Sequence, residues 1–302
     1  PLRATLPEAD LDAATVLGEG WAQVAYRVPT ADGDWVLRHP QLTKYDATKH
    51  PDLLAMAVAD LEREARLLPA LAEHGLPVPP GMRLLHDDGG QIAGTIHRPI
   101  DGEPVARAML VGGTRTRLAA AFGAFFTRLH AFPRDRAVTL GLKDIDLWKD
   151  EYCGLIEFCR PLLAARSRAW LDVTVERFLA EGGTTGAPRV LIHGDIGPEH
   201  LLISPDREFA GSIDFGDAMV ADPALDFAGL WLACRKPFME QVLTHYGGEI
   251  DPGLRRRAGF YVEVVGLYQV RYGDLVEDGR EHTSGKRRIA ARAAAATRRG
   301  AR

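Results

Sequence analysis

The sequence predicts an α+β protein, with a small antiparallel sheet carrying one helix followed by a larger, mostly helical half. Three observations carry that expectation. Short apolar runs separated by Gly and Asp turns fill the N-terminal third. Helical periodicity takes over after Gly102. Two short β-like stretches, VLIHGDIGPEHLLIS and EFAGSIDFGDA, then interrupt the helices, with titratable residues set between apolar ones.

In chain order, LGEGWAQVAYRV (17–28) reads as two short strands around a Gly turn, and WVLRHP (35–40) follows the turn Ala31 to Asp34, giving a hairpin. DLLAMAVADLEREARLLPALAEHG (52–75) reads as a helix with Leu61, Leu67, Leu68 and Leu71 apolar and a stop at Gly75. GLPVPPGMRLLHDDGGQIAGTIHRPIDGEP supplies two more strands around a DDGG turn (87–90). RLAAAFGAFFTRLHAFP (117–133) sets Leu118, Phe122, Phe125 and Leu129 on one helical face and ends at Pro133. EYCGLIEFCRPLLAAR, WLDVTVERFLAEGG and the region from Ala224 onward continue the helical pattern. No internal repeat or long linker is visible.

Composition bounds the class. The 302 residues are 46% hydrophobic and 26% charged, enough to bury one large core or two modest ones. Cys153, Cys159 and Cys234 form no CxxC pair, which favours free thiols in a reducing compartment. The polar stretch PLRATLPEAD shows no leader-like apolar core, and the longest apolar runs, 118–126 and 227–234, are too short to span a bilayer. A cytoplasmic protein without a membrane partner is expected, as a monomer or weak dimer. The net charge of −4 is uneven: residues 285–302 carry seven cations and no acid, leaving 30 basic against 41 acidic side chains elsewhere. An acidic body favours cationic small molecules and disfavours nucleic acid, and the basic tail reads as a solvated helical end.

The candidate chemistry lies in the two β-like stretches. Asp195 sits in a turn after Val190-Leu191-Ile192, His200 follows five residues later, and Asp214 ends the run Ser212-Ile213. Two hairpin-like strands would bring the three to one end of the insert. Phosphoryl transfer needs such a set: one carboxylate to orient and deprotonate a hydroxyl, and a second carboxylate with a neutral ligand to hold Mg²⁺ across phosphates.

HGDIGPEH followed by SIDFGDAMVADPALDF resembles the antibiotic phosphotransferases, the aminoglycoside and macrolide kinases of protein-kinase-like fold. The His at position 200 is similar to the aminoglycoside 2″- and macrolide branches. The resemblance implies a bilobal fold, with a nucleotide-binding N-lobe over 1–98 and a C-lobe over 99–302. It also implies Asp195 as the catalytic aspartate and His200 and Asp214 as metal ligands. ATP or GTP with Mg²⁺ would serve as phosphoryl donor, and a cationic antibiotic, foremost an aminoglycoside, as acceptor. Gly18 and Gly20 would let backbone amides approach phosphates. Arg38 stands where kinases carry a lysine, replacing a point charge by a planar fork. Glu64 is its expected partner and Glu62 the competitor. GTIHRPIDGEPV resembles the inter-lobe hinge, so backbone groups around Arg98 and Ile100 would contact the purine. Asp222 and Asp226 are expected to be structural, Asp226 by hydrogen bonding to the catalytic loop, and His193 to support the same loop.

Other readings are weaker. His193, Asp195, His200 and Asp214 could ligate zinc, but HExxH is missing and the IDF run suits magnesium better. There is no GxxxxGK[ST] and no GxSxG. A macrolide kinase, a metabolic small-molecule kinase and an inactive nucleotide-binding relative remain as alternatives, the last hinted at only by Arg38. Glu240, Glu263, Asp274 and Glu277 are candidate substrate contacts or plain surface residues, and Asp217 is either near the site or on the surface.

Overall fold

The computed structural model describes residues 2–20, 23–40 and 51–300. Trp21 and Ala22 of the glycine turn and Arg302 of the basic tail lie outside the described residues. After a short helix α1 (Leu2–Thr5), the sheet is built from β1 (Thr15–Glu19), β2 (Gln23–Val28) and β3 (Trp35–Pro40). Helix α2 (Pro51–Glu73) follows, and β4 (Arg83–His86) and β5 (Ile92–His97) complete the sheet, whose order is β1-β2-β3-β5-β4 with every pairing antiparallel. These are the strands and the helix that the turn and periodicity signals predict. Leu61, Leu67, Leu68 and Leu71 are buried, and Gly75 ends the helix at φ +79°, a conformation that costs glycine little.

Register fixes what each face of the sheet carries. Ala25, Arg38 and Thr95 stand opposite one another on β2, β3 and β5, so the Arg38 side chain shares a face with Thr95. The alternate residues Trp35, Leu85 and Ile96 pack with Leu6 in a small cluster on the other face.

The C-terminal part is helical, as expected. It runs through β6 (Glu103–Pro104), α3 (Gly112–His130), α4 (Arg134–Thr139), α5 (Cys153–Cys159) and α6 (Ala165–Ala180) to the β insert. The insert holds β7 (Val190–Ile192), β8 (Leu201–Ile203), β9 (Phe209–Ser212) and β10 (Met219–Ala221). After it come α7 (Ala224–Cys234), α8 (Lys236–Leu243), α9 (Leu254–Val264), α10 (Gly266–Leu275) and α11 (Gly279–Gly300). Helix α3 begins five residues before the predicted start, because Gly112 and Gly113 hide its first turn from a propensity reading.

The insert is nested rather than built from two successive hairpins. β8 and β9 form a hairpin, joined at the edge by β6, whereas β7 pairs with the distant β10 through Ile192–Met219, Leu191–Val220 and Val190–Ala221. The nesting still puts residues 193–200 and 213–218 at the same end. One large core underlies it, in which Leu67, Leu68 and Leu71 of α2 join Phe122 and Phe126 of α3, Leu191 and Ile192 of β7, and Phe227 of α7. Each such side chain, fully buried, contributes about 1.5–3 kcal/mol before entropy is counted. The C-terminal half of α2 is therefore anchored to the helical part while Asp60, Arg63 and Glu64 in its middle meet Arg38 and the 214–216 loop. Cys159 and Cys234 are buried and Cys153 is exposed, all as free thiols. Among the described residues no helix is long and apolar enough to cross a membrane.

Candidate active site

The loop after β7 is held from below. Asp226, fully buried in the first turn of α7, accepts hydrogen bonds from the His193 amide (2.9 Å) and the Gly194 amide (3.0 Å). A carboxylate only accepts, so His130 Nε2 donates to the same Asp226 at 3.2 Å, which leaves His130 Nδ1 to accept from the Tyr246 hydroxyl at 2.8 Å. His193 donates through Nε2 to the Ile213 carbonyl (3.0 Å) and accepts the Asp195 amide at Nδ1 (3.3 Å). Burial lowers its pKa, which keeps the ring neutral in that role. Asp226 and His193 thus support the loop, as the sequence predicts. Gly194 is required twice over: its φ is +86°, and a Cβ there would run into the Asp217 carbonyl. The result projects the Asp195 side chain outward, 61% exposed.

A second anchor lies below α7. Asp222 is buried, as expected of a structural residue, and receives Arg257 through two nitrogens (2.6 and 3.1 Å) together with the Tyr261 hydroxyl (2.9 Å). Arg257 also forks onto Asp251.

Above the loop, Arg38 of β3 reaches across the cleft. One nitrogen, Nη1, pairs with the fully buried Glu64 of α2, and the other, Nη2, donates to Asp214 Oδ1 at 2.7 Å. Glu64 turns its second oxygen to the Phe215 amide at 2.7 Å, so one carboxylate joins β3, α2 and the Asp214 loop. Burial raises the Glu64 carboxyl, opposed by the Arg38 charge. Glu62 instead pairs with Arg66 on the exposed side of the helix. Asp214 itself adopts φ +67°, a left-handed conformation uncommon outside glycine but reached by aspartate. Burial pushes its carboxyl up, and the charges of Arg38 and His200 more than reverse this, leaving it below the usual value.

His200 closes the arrangement. Its Nδ1 lies 2.6 Å from the Asp195 carbonyl, which can only accept, so Nδ1 carries the proton. In the neutral ring Nε2 then presents a lone pair, 3.6 Å from Asp214 Oδ2, the oxygen Arg38 leaves free. Burial opposes the charged ring, but the carboxylates of Asp195 and Asp214 outweigh it and raise its pKa. A cation at this point would take the place of that proton. Among the described residues no cluster of three or more His, Cys, Asp and Glu side chains forms a metal centre. Two donors, the partly exposed Asp214 carboxylate and the buried His200 Nε2, would nevertheless fit a divalent cation such as Mg²⁺ whose remaining oxygens came from a ligand and water.

The structure thus gathers Asp195, His200, Asp214, Arg38 and Glu64. Gly18 and Gly20 lie on and beside the edge strand β1. A Cβ at Gly18 would meet nothing, and one at Gly20 only the Gln23 carbonyl at 3.5 Å, so internal packing does not demand either glycine. Arg98 lies away from the cluster: its amide donates to Pro80 (2.8 Å), its carbonyl accepts from His97 Nδ1 (2.9 Å), and its guanidinium stacks 4.2 Å from the Trp35 ring. Ile100 packs near Gly211. Glu240 and Glu263 are tied to Arg255 and Arg177 at the surface. Asp217 has an exposed side chain, yet the protein around it and the nearby carboxylates of Asp195 and Asp60 push it up to about 7. Sequence reading missed Arg63, which donates to the Gly216 carbonyl and pairs with Asp60 (3.0 Å). Helical spacing was the available signal, because Asp60 and Arg63 flank Glu64 at one turn and one residue.

The family model described as the phosphotransferase enzyme family (APH) matches residues 13–260. The chain belongs to that family. Among solved structures of phosphotransferases, the GDP and kanamycin complex of APH(2")-IIia is 26% identical, with 97% of each chain covered and a TM-score of 0.81. The macrolide 2'-phosphotransferase MphH from Brachybacterium faecium, at 22% identity, covers 95% of this chain and 96% of its own, with a TM-score of 0.73, and shares the fold. The Bacillus subtilis protein YcbJ, itself uncharacterized, is 51% identical over 37 residues, which is 12% of each chain.

Proposed function

We propose that this phosphotransferase moves the γ-phosphoryl group of GTP or ATP to a hydroxyl of an aminoglycoside antibiotic. The observation that carries the reading is the gathering of Asp195, His200, Asp214, Arg38 and Glu64 at one cleft. The nucleotide-binding part is residues 1–98 and the catalytic part 99–302. Asp195, exposed and fixed through its own backbone, orients the acceptor hydroxyl and takes its proton. Arg38, braced by Glu64, faces the phosphates, and amides near Gly18 and Gly20 approach them from the strand above. Purine contacts come from backbone groups around Arg98 and Ile100; the Arg98 amide is taken by Pro80, while its carbonyl, bonded once to His97, keeps a second lone pair. Asp214 and His200 Nε2 would hold Mg²⁺, which supplies charge neutralisation across the phosphates.

An aminoglycoside is favoured by the match to a kanamycin complex and by the acidic body of the chain. GTP is favoured as donor by the GDP in the same complex.

The test is mass spectrometry of purified protein with GTP or ATP, Mg²⁺ and panels of aminoglycosides and macrolides. A phosphorylated aminoglycoside is expected, and a phosphorylated macrolide alone would replace the substrate assignment. Asp195→Ala should lower kcat by roughly 10²–10⁴-fold while nucleotide binding is kept. Equal loss of turnover and of nucleotide binding would make Asp195 structural.

A further inference from the structure

Arg38 does something here that a lysine in its place would not. An ammonium is a single point of charge, whereas the guanidinium spans two carboxylates with separate nitrogens. Glu64, wholly buried and also bonded to the Phe215 amide, anchors Nη1. Nη2 is the nitrogen whose partner can change, and that partner is Asp214 Oδ1. The Arg38 side chain is only 12% exposed, so its charge is poorly screened, while Asp214 is 43% exposed and can be reached from solvent.

Two competitions meet at this contact. Phosphate oxygens and the Asp214 carboxylate are rival acceptors for Nη2. A divalent cation and the guanidinium are rival partners for Asp214, and the cation is also repelled by the charge beside it. We propose that Arg38 is an electrostatic latch on Asp214, holding it in the nucleotide-free protein and releasing it to metal when nucleotide phosphates take Nη2. The latch rests on the phosphotransferase reading and adds to it that the protein alone binds divalent metal poorly and nucleotide prepares the site. By reciprocity, metal strengthens nucleotide binding by the same factor.

The experiment measures free Mn²⁺ by electron paramagnetic resonance, with and without GDP, for wild type, Arg38→Lys, Arg38→Met and the pair Arg38→Met/Glu64→Gln. The pair removes both charges together, so Glu64 is not left buried and unpaired, and near-ultraviolet circular dichroism verifies its fold. Without nucleotide, Arg38→Met and the pair should bind Mn²⁺ about tenfold or more tightly than wild type, with Arg38→Lys between. GDP binding should weaken in the same variants. Unchanged or weaker Mn²⁺ binding in the folded pair would overturn the latch and leave Arg38 as a fixed support for Asp214. Failure of the wild type to bind any of GDP, GTP, ADP and ATP would instead overturn the phosphotransferase reading, so the two failures are distinct.

Discussion

Glu64 and Gly194 illustrate how single residues set the geometry of the cleft. Glu64 divides its two oxygens between a guanidinium and a backbone amide, so its loss would free both β3 and the Asp214 loop. At Gly194 the requirement is steric, since both φ and the Asp217 carbonyl exclude a side chain. Gly194→Ala is expected to cost about 1–3 kcal/mol of local strain, read as a fall in kcat larger than the fall in melting temperature suggests. Wild-type turnover in that variant would show that the turn tolerates another backbone path. Asp195, His200 and Asp214 were legible in the sequence because their motif is nearly contiguous. Arg63 and His130 were not, because their partners Gly216 and Asp226 lie 153 and 96 residues away; helical spacing sets Arg63 beside Glu64 but does not say what that face meets.

Helix α7 carries the loop and the anchor below it in one element. Asp226 holds the loop amides, Asp222 just before the helix binds Arg257, and Gly229 brings the helix against Ile196. In an exposed helix, Gly→Ala stabilises by roughly 0.5–1 kcal/mol through propensity. At Gly229 the added methyl would meet the Ile196 carbonyl and lie 2.8 Å from its Cβ, and overpacking of about 1–3 kcal/mol outweighs that gain. Gly229→Ala should therefore lower the melting temperature and the activity together. A rise in melting temperature with activity intact would show that α7 can move away from the loop. Elements of this kind were the easier part of the sequence to read. Periodicity and stop signals locate α2 and the sheet strands, whereas the β7–β10 pairing joins segments separated by more than twenty residues, and the local pattern favours neighbours.

Across the whole molecule, buried histidines make stability depend on pH in opposing ways. His97, which shares a face of the sheet with Val36 and lies within the field of Arg38, is lowered to about 4, chiefly by burial, with the Arg98 carbonyl opposing and Arg38 assisting. His193 is lowered by burial as well. An unfolded chain takes protons at these histidines below about pH 6.5 while the folded chain does not, so acid favours unfolding between 6.5 and the folded values. His200 runs the other way, its stabilising contribution present below about 6.5 and lost as pH rises through its raised value. Asp60, Glu64 and Asp217 are raised too, so they also favour the folded chain in acid. The whole-chain profile is thus a balance, and a difference isolates one group. His97→Gln keeps a donor for the Arg98 carbonyl but cannot charge. Relative to wild type, it should gain about 2 kcal/mol between pH 7 and pH 5, since each pKa unit corresponds to about 1.4 kcal/mol. Parallel chemical-denaturation curves at the two pH values measure that difference, and a constant offset would mean that His97 is protonated at no cost and faces water rather than Arg38.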